Sequence, residues 1–243
     1  MEEHENLYEK IREILGERPG NLKILEQKID MDLQMEYYEC SMGIRQDRDE
    51  QWALDHMRYL AEPGYSEDVK KEILARLASV EKVECFRAIE AFLKEAVEPL
   101  RSWAVLALNE SSMLLESKIL DENQVFISTG LGGKDEKLRY FVVLMSRTRV
   151  ELTPAQQMVI QNEFDYILKK FNAEVEESNF SGYLATMLLL LPLNYSLKTV
   201  FKEAIDECNR YGNFLNDDFI VTNVRILSIG EIEDFLERRS SED

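Results

Sequence analysis

The chain has 243 residues, with 29 Lys and Arg against 47 Asp and Glu, a formal net charge of −18. Its 45% hydrophobic content and modest Gly and Pro counts exclude collagen-like, low-complexity and wholly disordered chains, and three cysteines exclude a disulfide scaffold. The acid surplus is even, with 16 basic and 26 acidic side chains in residues 1–120 and 13 and 21 in residues 121–243. Neither half offers the basic face that phosphate neutralisation calls for, so nucleic acid and anionic membrane are expected to be poor partners.

The opening MEEHENLYEK has neither a basic segment nor an apolar one, which argues against a secretory leader. Leu7, Ile11, Ile14 and Leu15 then repeat at helical spacing until Arg18–Asn21 breaks the pattern. Leu22, Leu25, Ile29 and Leu33 predict a second helix ending at Gly43. Asp47 with Glu50 reads as a capping box for a third, closed by Pro63-Gly64. Ser66 caps the next, with a stripe of Val69, Ile73, Leu77 and Val80. After a turn at Glu81-Lys82 come Val83, Phe86, Ile89, Phe92 and Leu93. Pro99 then stands at a helix start before Leu100, Trp103, Ala104, Ala107 and Leu108.

Laying Val69-Lys70 over Leu100-Arg101 gives two helix starts 31 residues apart in sequence. On VKKEILARLAS and LRSWAVLALNE, residues 66–118 resemble a HEAT-type helical repeat. The resemblance implies a stacked α-solenoid that binds other proteins; a plain bundle of three to five helices is the alternative.

The second half changes period. Val125–Leu131 and Leu138–Met145 read as a hairpin around Gly130, Gly132 and Gly133. Thr153-Pro154-Ala155-Gln156 is the clearest helix start, followed by Ile160, Phe164, Ile167, Leu168 and Phe171. Residues 173–178 alternate like a wet edge strand, and the apolar run from Gly182 to Leu191 suits a central one. A helix through Leu197, Val200, Phe201, Ala204, Ile205 and Cys208 stops near Gly212, and Phe219–Leu227 is the last strand. Ser228 with Glu231 caps a terminal helix.

The expectation is therefore α+β. A helical domain, residues 1–120, precedes an α/β domain, residues 121–243, with a mixed or antiparallel sheet in the order ββαββαβα, a ferredoxin-like variant. The apolar run Tyr183–Leu193 is too short to cross a bilayer, which takes about 20 residues, so the chain reads as cytoplasmic.

Chemistry is sparse. His4 and His56 have no ligand-spaced partners, and no calcium loop occurs, so no metal or other cofactor is expected. Cys85 and Cys208 fall on or beside apolar faces, and no G-x-S-x-G elbow is present, so no catalytic residue is assigned. The run Thr129–Lys134 fails the phosphate-loop pattern, because Asp135 follows the lysine and a strand follows that; a flexible hairpin loop fits better. Asp217-Asp218 reads as solvated turn residues. One basic spot stands out: Arg147 and Arg149 ahead of the helix start at Thr153, a candidate for binding an anion or an acidic partner segment. The function expected is a non-catalytic protein–protein interaction or adaptor module, whose partner is another protein or a second copy. The alternative is an anion-binding regulatory domain on a helical platform.

Overall fold

The computed structural model describes residues 22–120 and 124–240. The stripe Leu7–Leu15, the break at Arg18–Asn21 and His4 lie outside these residues. The described chain divides into a helical unit, residues 22–25 with Ile29–Ile127, and a sheet unit, Glu26–Lys28 with residues 128–240.

The described part of the helical unit begins with a strand where a helix was expected. Leu22–Ile24 (β1) pairs in parallel with Val125–Ile127 (β2), with Leu22 opposite Val125. The first described helix, Met31–Gln46 (α1), waits for Asp30, whose side chain accepts from the Asp32 N–H. It runs straight through Gly43, whose missing side chain faces open space and so ends nothing. The next helix, Glu50–His56 (α2), is capped by Asp49 and not by Asp47: the Asp49 carboxylate accepts from Trp52 N–H at 2.9 Å. A 3-10 turn, Met57–Ala61, completes that segment.

Three helices follow: Glu67–Ala78 (α3), Val83–Glu95 (α4) and Leu100–Leu120 (α5). Ser66 caps α3 as expected. Pro99 lies one residue before α5 and not at its first helical position. α5 is long and central, and α1, α3 and α4 all pack on it. Its Trp103 is buried, donates Nε1–H to the Lys71 carbonyl at 3.0 Å and meets Tyr37 edge-on. Helices of 12 and 13 residues packed on one of 21 make a bundle. A solenoid would instead stack equal hairpins, and here the chain leaves α5 for β2.

The sheet unit holds one antiparallel sheet. Its strands are Gly133–Lys134 (β3), Lys137–Ser146 (β4), Glu174–Ser181 (β5), Leu184–Pro192 (β6) and Leu215–Thr222 (β7). β4 is flanked by β6 on one side, and by β7 together with the short β3 on the other; β5 lies outside β6. Setting β3 aside gives the ferredoxin-like order β7-β4-β6-β5, in which β4 and β6 are central. That position explains their unbroken apolar runs, since both faces are covered.

The hairpin differs from expectation. Val125–Ile127 belongs to β2, so only Gly133–Lys134 folds back on β4. Asp135 and Glu136, both at positive φ, form its two-residue turn. Residues 129–133 are buried, so this is no flexible loop. Gly132 has φ +64, and a Cβ there would lie 2.5 Å from the Gln27 carbonyl oxygen, so only glycine fits.

Helices Pro154–Lys170 (α6) and Leu197–Asn209 (α7) pack together on one face, where Phe201 meets Phe219 edge-on. The opposite face, with Phe141, Val143, Met145, Leu188 and Ile220, is covered by Ile232 and Leu236 of the last helix, Ile229–Ser240 (α8). Among the described residues no helix is long and apolar enough to cross a membrane.

Candidate functional site

A bulge builds the site. Leu144 of β4 faces Phe219 of β7, but two residues later Ser146 faces Leu215. β7 therefore carries extra residues, and Asn216–Asp218 loop out opposite the end of β4. The Asp218 N–H donates to Asn216 Oδ1 at 3.1 Å, which holds the loop's shape. Beyond β4 the chain turns at once: Arg149 N–H donates to the Ser146 carbonyl at 3.1 Å, and Arg147 N–H to the Phe214 carbonyl at 2.8 Å. Arg149 adopts φ 53, in the left-handed region that residues with a side chain seldom occupy.

These segments and α8 enclose a cleft lined by Met145, Ser146, Arg147, Arg149, Asn216, Asp218, Leu236 and Arg239. Its volume of about 160 Å³ is below that of sites for drug-sized ligands, about 300–1,000 Å³, and suits one charged group. Arg147 Nη2 donates to Asp217 Oδ1 at 2.9 Å, and Arg239 Nη2 to Asp218 Oδ2 at 3.4 Å. Both pairs are well exposed. Arg149 makes no ion pair or side-chain hydrogen bond with any described residue. Three arginines and Asp218 line the cleft, and Asp217 pairs with Arg147 from outside the lining, so one positive charge is left in excess in a chain of net −18.

The structure thus brings Arg147 and Arg149 together and adds Arg239. Its sequence signal is the Arg238-Arg239 doublet, placed by the buried Leu236 and Ile232 one and two turns earlier. Thr153 does not line the cleft. Its hydroxyl is engaged in the α6 capping box, accepting from Gln156 N–H at 3.3 Å while Gln156 Oε1 accepts from Thr153 N–H at 2.9 Å. Asp217-Asp218, expected to be merely solvated, are the counter-charges of Arg147 and Arg239.

Other chemistry is quiet. Among the described residues no group of His, Cys, Asp and Glu could hold a metal ion. Burial pushes the Cys85 thiol up to about 11 and Cys208 to about 12, so both stay protonated at neutral pH and are poor nucleophiles. His56 stacks on Trp52, and its Nδ1 lies 2.7 Å from the Trp52 carbonyl.

No family model and no curated protein matches the sequence. Solved structures do match in part. A protein from Deinococcus radiodurans R1 described as a transposase is 14% identical, covering 42% of this chain and 90% of its own, with a TM-score of 0.37. A REP-associated tyrosine transposase bound to a REP hairpin is 12% identical, covering 41% of this chain and 61% of its own, with a TM-score of 0.32. Likeness at this level carries neither an activity nor a residue's role across to this chain. Three expectations are nevertheless corrected by these matches, which are not helical-repeat proteins: the HEAT-type resemblance of residues 66–118, the adaptor function built on it, and the exclusion of nucleic acid as a partner.

The last of these also has a physical flaw. A net charge is a long-range average, and at physiological ionic strength fields between exposed charges fade over about 8 Å. Beyond that distance the charge of −18 does little to a ligand seated among local arginines.

Proposed function

We propose that this chain binds nucleic acid by gripping phosphate in the cleft of Arg147, Arg149 and Arg239. One observation carries the reading: three arginines, from a strand end and a helix end, line one cavity, and among the described residues Arg149 has no carboxylate partner. Guanidinium matches phosphate geometry and stays charged at any physiological pH. Two of these arginines hold only exposed aspartates, and such pairs are worth about 0–1 kcal/mol each, so an incoming phosphate displaces them at little cost.

The acidic surroundings limit the footprint to one or two phosphates. For single strands log K falls with log salt at a slope of about −0.7 per phosphate neutralised, so a total slope between about −0.7 and −1.4 is expected. The test is fluorescence anisotropy of a labelled single-stranded oligonucleotide with the full chain, beside the double variant Arg149→Glu, Arg239→Glu. Binding that weakens at least tenfold in the variant supports the reading. Equal binding by both proteins contradicts it. Inorganic phosphate added as competitor separates a phosphate grip from contact with the bases: release of the strand assigns the grip to phosphate, and no release removes the cleft from the account.

A further inference from the structure

Asp218 lines this cleft, and Asp217, outside its lining, pairs with an arginine that does line it; the two do more here than balance charge. Each carboxylate occupies a guanidinium donor that a phosphate oxygen could otherwise accept from, Asp217 at 2.9 Å from Arg147 Nη2 and Asp218 at 3.4 Å from Arg239 Nη2. Both ride on the Asn216–Asp218 loop that the β7 bulge pushes out of the ladder, so they can swing away without breaking strand pairing. Both are largely exposed, 70% and 64%, so water takes over when they leave.

We propose that these two aspartates are an internal phosphate mimic that selects a terminal phosphate over an internal phosphodiester. The inference rests on the phosphate reading of the cleft. An internal phosphodiester carries a single negative charge. Placed on Arg147 it exchanges one monoanion for another and leaves the displaced aspartate nearby to repel it. A phosphomonoester carries about −1.5 to −2 at pH 7 and has three free acceptor oxygens. It engages Arg149 as well as one of the paired arginines, and the extra charge outweighs the repulsion. The cavity, at about 160 Å³, has room for such a group on the end of a chain. Asn216 and Ser146, also in the lining, supply neutral polar groups that do not discriminate by charge. Glu231, Glu233, Asp234, Glu237 and Arg238 on α8 and Glu151 after β4 do not line it, and Asp217 reaches it only through Arg147.

The experiment compares two oligonucleotides of one sequence, 5′-phosphorylated and 5′-hydroxyl, on the full-length wild-type chain and on Asp217→Asn, Asp218→Asn. The wild type should prefer the phosphorylated strand by about tenfold or more. In the variant both strands should bind more tightly and the preference should shrink to about threefold or less. Equal wild-type affinity for the two strands overturns the inference, as does a preference unchanged in the variant; either result leaves the phosphate reading standing if Arg149→Glu still weakens binding. Failure of both strands and of inorganic phosphate to bind any of the proteins overturns the inference and the phosphate reading together.

Discussion

The helical unit buries an anion and the sheet unit buries a cation. In the first, Glu110 of α5 accepts from Tyr37 Oη at 2.6 Å, from Ser41 Oγ at 2.8 Å and from Arg45 Nη2 at 2.8 Å, so one carboxylate ties α1 to α5. Burial and the Glu110 charge hold the Tyr37 phenol well above its ordinary value, which keeps it a donor. In the second, Arg139 of β4 donates to both Glu176 oxygens and to the Leu131 carbonyl at 2.7 Å. Glu176 reaches it from a second bulge, where β5 slips by one residue against β6 between Val175 and Glu177. A buried charge survives only when its hydrogen-bonding capacity is filled. Arg149 is the contrast: exposed, at positive φ and, among the described residues, without a carboxylate. The difference marks Arg139 as structural and Arg149 as available.

Substitutions sharpen this contrast. Arg139→Ala strands Glu176 and the Leu131 carbonyl and should cost about 3–5 kcal/mol, the range for breaking a buried pair, read as a lower midpoint in urea. Glu110→Ala should cost about 2–3 kcal/mol, somewhat less because Arg45 is 41% exposed and returns to water. An effect of Arg139→Ala no larger than that of an exposed pair would erase the distinction.

Gly132→Ala forces a Cβ against the Gln27 backbone and should cost about 1–3 kcal/mol, a loss visible in the thermal midpoint. Ser228→Ala removes the α8 cap, with Glu231 N–H donating to Ser228 Oγ at 3.3 Å, and should cost about 1 kcal/mol. Glu231 belongs to the same box. Hydrogen bonds from Ser228, with Arg225 nearby, hold its carboxyl down from 4.5 to about 2. A lowered carboxyl stabilises the fold fully above its unfolded value and loses that contribution as pH falls through the folded one. Glu231→Gln should therefore flatten the stability profile between pH 4.5 and about 2 and leave its slope above pH 5 unchanged. Arg149→Glu should change stability by less than about 0.5 kcal/mol, as a surface change does.

What the sequence made legible was local. The capping boxes at Thr153 and Ser228 and the apolar runs of β4 and β6 each need only a few adjacent residues, and each forms as expected. Pairings between distant segments were hidden. Leu22–Ile24 carries apolar residues at helical spacing with Leu25 and Ile29, and only Val125–Ile127, far along the chain, makes it a strand. The cleft shows the same division. Arg147 and Arg149 stood out as a basic spot, whereas Arg239 joined them only through the packing of Leu236. The β7 bulge left no sequence mark, because Asn216-Asp217-Asp218 has the composition of any turn.

The most direct test of the central claim is the salt dependence of binding for a 5′-phosphorylated single strand, wild type against Arg149→Glu. The wild-type slope of log K on log salt should lie between about −0.7 and −1.4, and in the variant it should shrink by about 0.7 with affinity at least tenfold lower. Identical slopes and affinities for the two proteins would contradict it.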